Sequence, residues 1–100
     1  MVQAVFQLNV QLNQIEPLIW RRIVVPAAIT LNELHVVLQG AMGWQDYHLH
    51  MFEIGSERYE IPENDEFGPE RGARDERLYE LNDLLKTGQE FSYTYEWPRN

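Results

Sequence analysis

The chain has 100 residues, 44% of them apolar, a formal charge of −8 and no cysteine. One domain with one core fits that length, and the missing cysteines exclude disulfides and thiolate metal sites, in keeping with a cytoplasmic protein. Acidic residues outnumber basic ones two to one, which disfavours nucleic acid as a partner, and no stretch approaches the roughly 20 apolar residues of a membrane span or has the form of a signal peptide.

The first segment alternates with period two. Ala4, Phe6, Leu8, Val10 and Leu12 share one face, while Gln3, Gln7, Asn9 and Gln11 share the other with Val5. Such a pattern predicts an antiparallel strand covered on one side. A turn through 13–17, closed by Pro17, leads to a second strand over 19–25 and hence to a hairpin. There Ile19, Ile23 and Val25 look inward and carry Arg21 with them; Trp20 and Arg22 fall on the opposite face, and Pro26 stops the strand.

Thr30-Leu31-Asn32-Glu33 is a capping box. It predicts a helix over 31–42, with Leu31, Leu34, Leu38, Ala41 and Met42 as the apolar stripe. Gly43 is placed to end it in the left-handed conformation, with Trp44 folding back on the last turn. Gly40 inside the helix costs about 1 kcal/mol relative to alanine and is expected to admit close packing on the sheet.

Strands over 48–54 and 57–61 flank Gly55-Ser56 and form a second hairpin, of type II′. A two-residue loop pairs Ile54 with Glu57, Phe52 with Tyr59 and His50 with Ile61, and sets Glu53 against Arg58 on the other face. Residues 62–77 are charged, rich in proline and glycine and aperiodic, and predict a long loop. Leu78, Leu81, Leu84 and Leu85 predict a short helix ended by Gly88. Phe91, Tyr93, Tyr95 and Trp97 line one side of a last strand. The fold class is therefore α+β. The order strand, strand, helix, strand, strand, short helix, strand is β-grasp-like, with one main helix across a mixed sheet and the first and last strands as parallel neighbours. The chain ends without the Gly-Gly of a conjugated modifier.

Three stretches resemble one family. Pro17-Leu18-Ile19-Trp20-Arg21-Arg22-Ile23 is similar to its Pro-x-Ile-Trp-Arg-Arg strand. Thr30 to His35, Gln39, Ala41-Met42-Gly43-Trp44 and His48-Leu49-His50-Met51-Phe52 are similar to its longest signature. Phe91-Ser92-Tyr93-Thr94-Tyr95-Glu96 is similar to its Phe-x-Tyr-x-Tyr-Asp strand. In that order they resemble the plasmid pRiA4b ORF-3-like family, which implies a fold and a link to mobile elements more than an activity. The family pattern continues into an Asp-Phe-Gly-Asp and tryptophan stretch, whereas here Glu96 replaces the aspartate and residues 97–100 follow. On that resemblance the chain is expected to be a shortened member, or one that has been cut.

Several residues are candidates for function. His48 and His50 lie two apart on a strand, so both face one side, ~7 Å apart. With Asp46 nearby and His35 brought in by the helix, they could bind a divalent metal; a hydrogen-bonded, partly buried histidine is the plainer expectation. Trp20, Arg21 and Arg22 form an aromatic-basic group in which Trp20 and Arg22 can stack, and which suits a carboxylate or an acidic partner segment. Its structural alternative is an arginine clamping an acidic side chain of another strand. Tyr93, Tyr95 and Trp97 are either core or an apolar patch for a partner or for self-association. The acidic residues of 62–77 lack calcium-loop spacing, the glycines lack phosphate-loop spacing, and Ser56 and Ser92 lack a nucleophile-elbow context. No cofactor is expected beyond a metal at the histidines. The expected function is a non-enzymatic protein-interaction module. The alternatives are a metal-binding protein or metal-dependent enzyme using His48 and His50, and a nucleic-acid accessory factor of a mobile element contacting through Arg21 and Arg22.

Overall fold

The computed structural model describes residues 4–12, 19–44, 50–61 and 72–95. Its elements in chain order are β1 (Val5–Leu12), β2 (Ile19–Pro26), α1 (Leu31–Met42), β3 (His50–Ile54), β4 (Glu57–Glu60), β5 (Ala73–Asp75), a 3-10 turn (Glu76–Leu78), α2 (Leu81–Leu84) and β6 (Ser92–Tyr95).

The predicted alternation of the first hairpin is seen. β1 and β2 form an antiparallel ribbon in which Phe6 opposes Val25 and Leu8 opposes Ile23 on the inner face. Phe6, Leu8, Val10 and Ile23 pack on the core, and Val25 is fully within it. On the outer face Gln7 opposes Val24, Asn9 opposes Arg22 and Gln11 opposes Trp20. Burial fades along β2 from Val25 through Ile23 to Arg21, which is exposed although it belongs to the inner face.

Helix α1 has the predicted bounds, and both ends are capped as its sequence requires. The Glu33 backbone N–H donates to the Thr30 hydroxyl at 3.4 Å, and the Thr30 N–H donates to the Glu33 carboxylate at 3.0 Å. At the other end Gly43 has φ 73°, and the N–H groups of Gly43 and Trp44 donate to the carbonyls of Gly40 and Gln39, the Schellman pattern. Replacing Thr30 by alanine is expected to cost about 1 kcal/mol. The effect has a pH signature. The backbone N–H and then the hydroxyl of Thr30 hold the Glu33 carboxyl below the usual carboxylate range. The box therefore contributes fully above the ordinary glutamate value, about 4.3, and is lost as pH falls through the lower folded value. Urea midpoints measured across that acid range should fall less steeply in Thr30→Ala than in the parent chain.

The larger sheet has the order β5-β4-β3-β6. The β3–β4 hairpin has the predicted register, with Phe52 opposite Tyr59, Glu53 opposite Arg58 and Ile54 opposite Glu57, and Gly55 takes the positive φ its turn needs. The core gathers Leu31, Leu34 and Leu38 of α1, Phe52 and Ile54 of β3, Tyr59 of β4, and Leu81 and Leu85 around α2. Backbone bonds from Leu31 to Tyr79, Leu81 to Ile29 and Asn82 to Ala27 tie the start of α1 to the segment before and within α2.

Four expectations are corrected. The first concerns the β-grasp arrangement: β6 pairs antiparallel with β3, and β1 belongs to a separate two-stranded sheet, so the first and last described strands are not neighbours. The α+β class stands. The second concerns the charged loop, whose end is ordered: Ala73–Asp75 forms β5, parallel to β4, and Asp75 caps the following 3-10 turn by accepting from the Arg77 N–H. Residues 62–71 lie outside the described part. The third is Gly40, which faces outward with nothing near the position a Cβ would take, so it makes no close approach to the sheet. Leu78, expected in the α2 stripe, is 75% exposed on the 3-10 turn.

Candidate functional site

The ribbon presents the first candidate surface. Its outer face is lined by Gln7, Asn9 and Gln11 on β1 and by Trp20, Arg22 and Val24 on β2. Trp20 is 53% exposed and Val24 61%. The Arg22 guanidinium lies 5.7 Å from the centre of the Trp20 ring, the cation–π contact expected from their shared face. Its Nε donates to the Asn9 side-chain oxygen at 3.4 Å. Arg21 lies on the other face and donates from Nη1 to the Trp20 carbonyl at 3.0 Å. Among the described residues, neither arginine clamps an acidic side chain, which was the structural alternative for this group.

The charge of this surface differs from that of the molecule. Residues 4–12 and 19–26 contain Arg21 and Arg22 and no aspartate or glutamate. Residues 1–30 hold one acidic residue against those two arginines, a net charge of +1, so the rest of the chain carries −9 to make the total of −8.

The second candidate is a polar cluster buried between α1 and the larger sheet. His50 of β3 points inward beside Phe52, and Tyr93 of β6 lies opposite Phe52 on the same face. His35, one turn after Leu31 on the buried stripe of α1, stacks on His50 with ring centres 3.5 Å apart and planes 10° from parallel. His35 Nδ1 and the Tyr93 hydroxyl are 2.6 Å apart, and that hydroxyl also accepts from Gln39 Nε2 at 2.8 Å. His50 Nε2 donates to the Glu76 carboxylate, 2.9 Å from each oxygen. Glu76 is fully buried, and His35 and Gln39 nearly so.

This cluster changes the reading of the histidines. Imidazole binds a metal through an in-plane lone pair at about 2.0–2.1 Å. An ion lying in the plane of one ring would stand some 3.5 Å from the plane of the other, so His35 and His50 as stacked do not converge on one ion. Among the described residues no group of three or more histidine, aspartate or glutamate side chains is placed to hold a metal. Asp46 and His48, the other proposed ligands, lie outside the described residues. Tyr93 is taken up by the cluster, and Tyr95 stacks on Trp44 with ring centres 5.0 Å apart. Trp97 lies outside the described part. The structure thus brings Trp20 and Arg22 together on one open face and separates them from the tyrosines.

Two members of the cluster escaped the sequence reading. Gln39 follows His35 by four residues on the buried stripe of α1, a spacing that marks it as inward. Glu76 carries no such signal, because it sits at the end of an aperiodic charged run.

Comparison with known proteins agrees with this architecture. The family model for plasmid pRiA4b ORF-3-like proteins matches residues 4–100. The chain belongs to the plasmid pRiA4b ORF-3-like family. A relative described as uncharacterized protein y4hQ, from Sinorhizobium fredii (strain NBRC 101917 / NGR234), is 39% identical over 99 residues, which is 97% of this chain and 50% of the relative. The crystal structure of a protein of unknown function, MM3350 from Methanosarcina mazei Go1, matches with a TM-score of 0.79 and 35% identity, covering 93% of this chain and 53% of that one. The chain therefore spans about half the length of these pRiA4b ORF-3-like relatives. Among the described residues no helix is long and apolar enough to cross a membrane.

Proposed function

We propose that this pRiA4b ORF-3-like chain is a non-enzymatic protein-interaction module whose ribbon face takes an acidic segment of a partner protein. The observation that supports this is the outer face of β1 and β2, where Trp20 and Arg22 stand exposed on a surface without a carboxylate while the rest of the chain is strongly acidic. An acidic segment is repelled elsewhere on the molecule and finds its counter-charge here. Trp20 and Arg22 are residue types that dominate binding energy at interfaces. Asn9 and Trp20 hold the Arg22 guanidinium in place, so less of its freedom is lost on binding. The buried titratable groups, by contrast, are engaged with one another in a packed interior, an arrangement suited to stability rather than turnover.

A fluorescence-anisotropy titration tests the reading, using a labelled peptide rich in aspartate and glutamate and, in a parallel arm, a labelled DNA duplex. The peptide is expected to bind, to weaken as salt rises, and to lose at least about ten-fold in affinity in Trp20→Ala/Arg22→Glu, the scale of one disrupted interfacial anchor. No peptide binding at millimolar concentration, or tighter binding of the duplex, would refute it.

A further inference from the structure

Among the described residues, the far edge of β1 lacks the protection that the other strand edges have. An edge strand presents unpaired N–H and C=O groups, and folded proteins guard such edges with charge, proline, shortness or a covering segment. The outer strand at one end of the larger sheet, β5, is three residues long and contains Arg74 and Asp75. At the other end β6 has four residues, flanked in the sequence by Glu90 and Glu96. In the ribbon, β2 carries Arg21 and Arg22 and ends at Pro26. β1 is different. It runs eight residues, Val-Phe-Gln-Leu-Asn-Val-Gln-Leu, without a charge, a proline or a glycine. β2 occupies one of its edges. Among the described residues, no backbone hydrogen bond joins its other edge to a further element.

We infer that β1 is a self-association edge, pairing antiparallel with β1 of a second copy to make one continuous sheet in the order β2-β1-β1′-β2′. Charge selects the occupant. Two copies of a chain with net charge −8 repel over most of their surfaces, and the uncharged β1 is where they approach without a charged side chain between them. Geometry allows it as well. An antiparallel strand opposite its own copy is self-complementary about a two-fold axis, so the contact closes at a dimer. A register centred on Asn9 sets Phe6 opposite Leu12 and Leu8 opposite Val10 on one face, and Gln7 opposite Gln11 and Asn9 opposite its own copy on the other. The new ladder would pair the backbone groups along that edge in both copies. This inference does not rest on the acidic-partner reading, because it uses the edge of β1 rather than the face carrying Trp20.

Sedimentation equilibrium and concentration-dependent hydrogen exchange on the 100-residue chain test it. The expected mass rises with concentration from 11.9 kDa to twice that value and stops there. Salt should strengthen the dimer by screening the acidic bodies, opposite to its effect on acidic-peptide binding. Amides within Val5–Leu12 should exchange more slowly as the dimer forms. Gln7→Lys/Gln11→Lys, changed at exposed positions, should weaken self-association at least about ten-fold by setting like charges across the new ladder, with an unchanged unfolding midpoint. Trp20→Ala/Arg22→Glu should leave the dimer intact. A chain that stays monomeric at millimolar concentration overturns the inference, whether its β1 amides are open or already protected by its own chain. So does a dimer that survives the lysines, one without slowed exchange in β1, or a mass that climbs beyond two copies.

Discussion

His50→Phe is expected to destabilise the fold by about 3–5 kcal/mol, the scale for leaving a buried carboxylate without its partner. Glu76 is fully buried, and among the described residues His50 Nε2 donates to its carboxylate, 2.9 Å from each oxygen. Phenylalanine fills similar space but donates nothing, which leaves the carboxylate desolvated and unpaired. Glu76→Gln should be milder, about 1–3 kcal/mol, because the amide still offers an oxygen to His50. The double variant His50→Phe/Glu76→Leu should regain much of the loss, since replacing both partners by apolar groups removes the unmet polar demand along with the contact. Urea unfolding of the parent, His50→Phe, Glu76→Leu and His50→Phe/Glu76→Leu chains closes this cycle. If the double variant is as unstable as the sum of its two singles, then His50 and Glu76 act independently and the pair is not what holds the 3-10 turn against β3.

Phe52→Ala is the second large effect, at about 3–5 kcal/mol. Phe52 is fully buried at the centre of β3. Its ring centre lies 4.9 Å from that of Tyr93 and 6.4 Å from that of Phe91, and it meets His50 edge to face at 6.2 Å. Truncation would empty the point where β3, β6 and the polar cluster meet, and rigid neighbours on several elements limit how far that space can collapse. Because domains of this size are commonly stable by only about 5–15 kcal/mol, the variant should unfold at markedly lower urea or fail to accumulate as folded protein. Val36→Ala, on the exposed face of α1, serves as the contrast and should fall within about 0.5 kcal/mol of the parent. A Phe52→Ala chain as stable as Val36→Ala would contradict the core placed around this ring.

Local chemistry was enough to specify several parts of this protein. The capping box at Thr30 and Glu33 and the left-handed Gly43 bound α1 at both ends, because a helix terminus must satisfy its own backbone groups with nearby residues. Period-two alternation placed Phe6, Leu8 and Val10 inward. The short turn at Gly55 fixed the register of Phe52 against Tyr59, since loop length sets which residues face each other. Strand alternation also put Trp20 and Arg22 on one face, which is the basis of the docking surface proposed here. What the sequence could not decide was which elements separated along the chain meet in space. Pairing of β6 with β3 rather than with β1, the addition of β5 from a run that looks like loop, and the burial of Glu76 against His50 depend on contacts between residues about 15 to 45 positions apart, whose only local trace is weak or absent. His35 shows the limit most plainly: its helical spacing points it inward, but only the packed structure sets it flat against His50 and thereby turns two candidate metal ligands into a stacked pair.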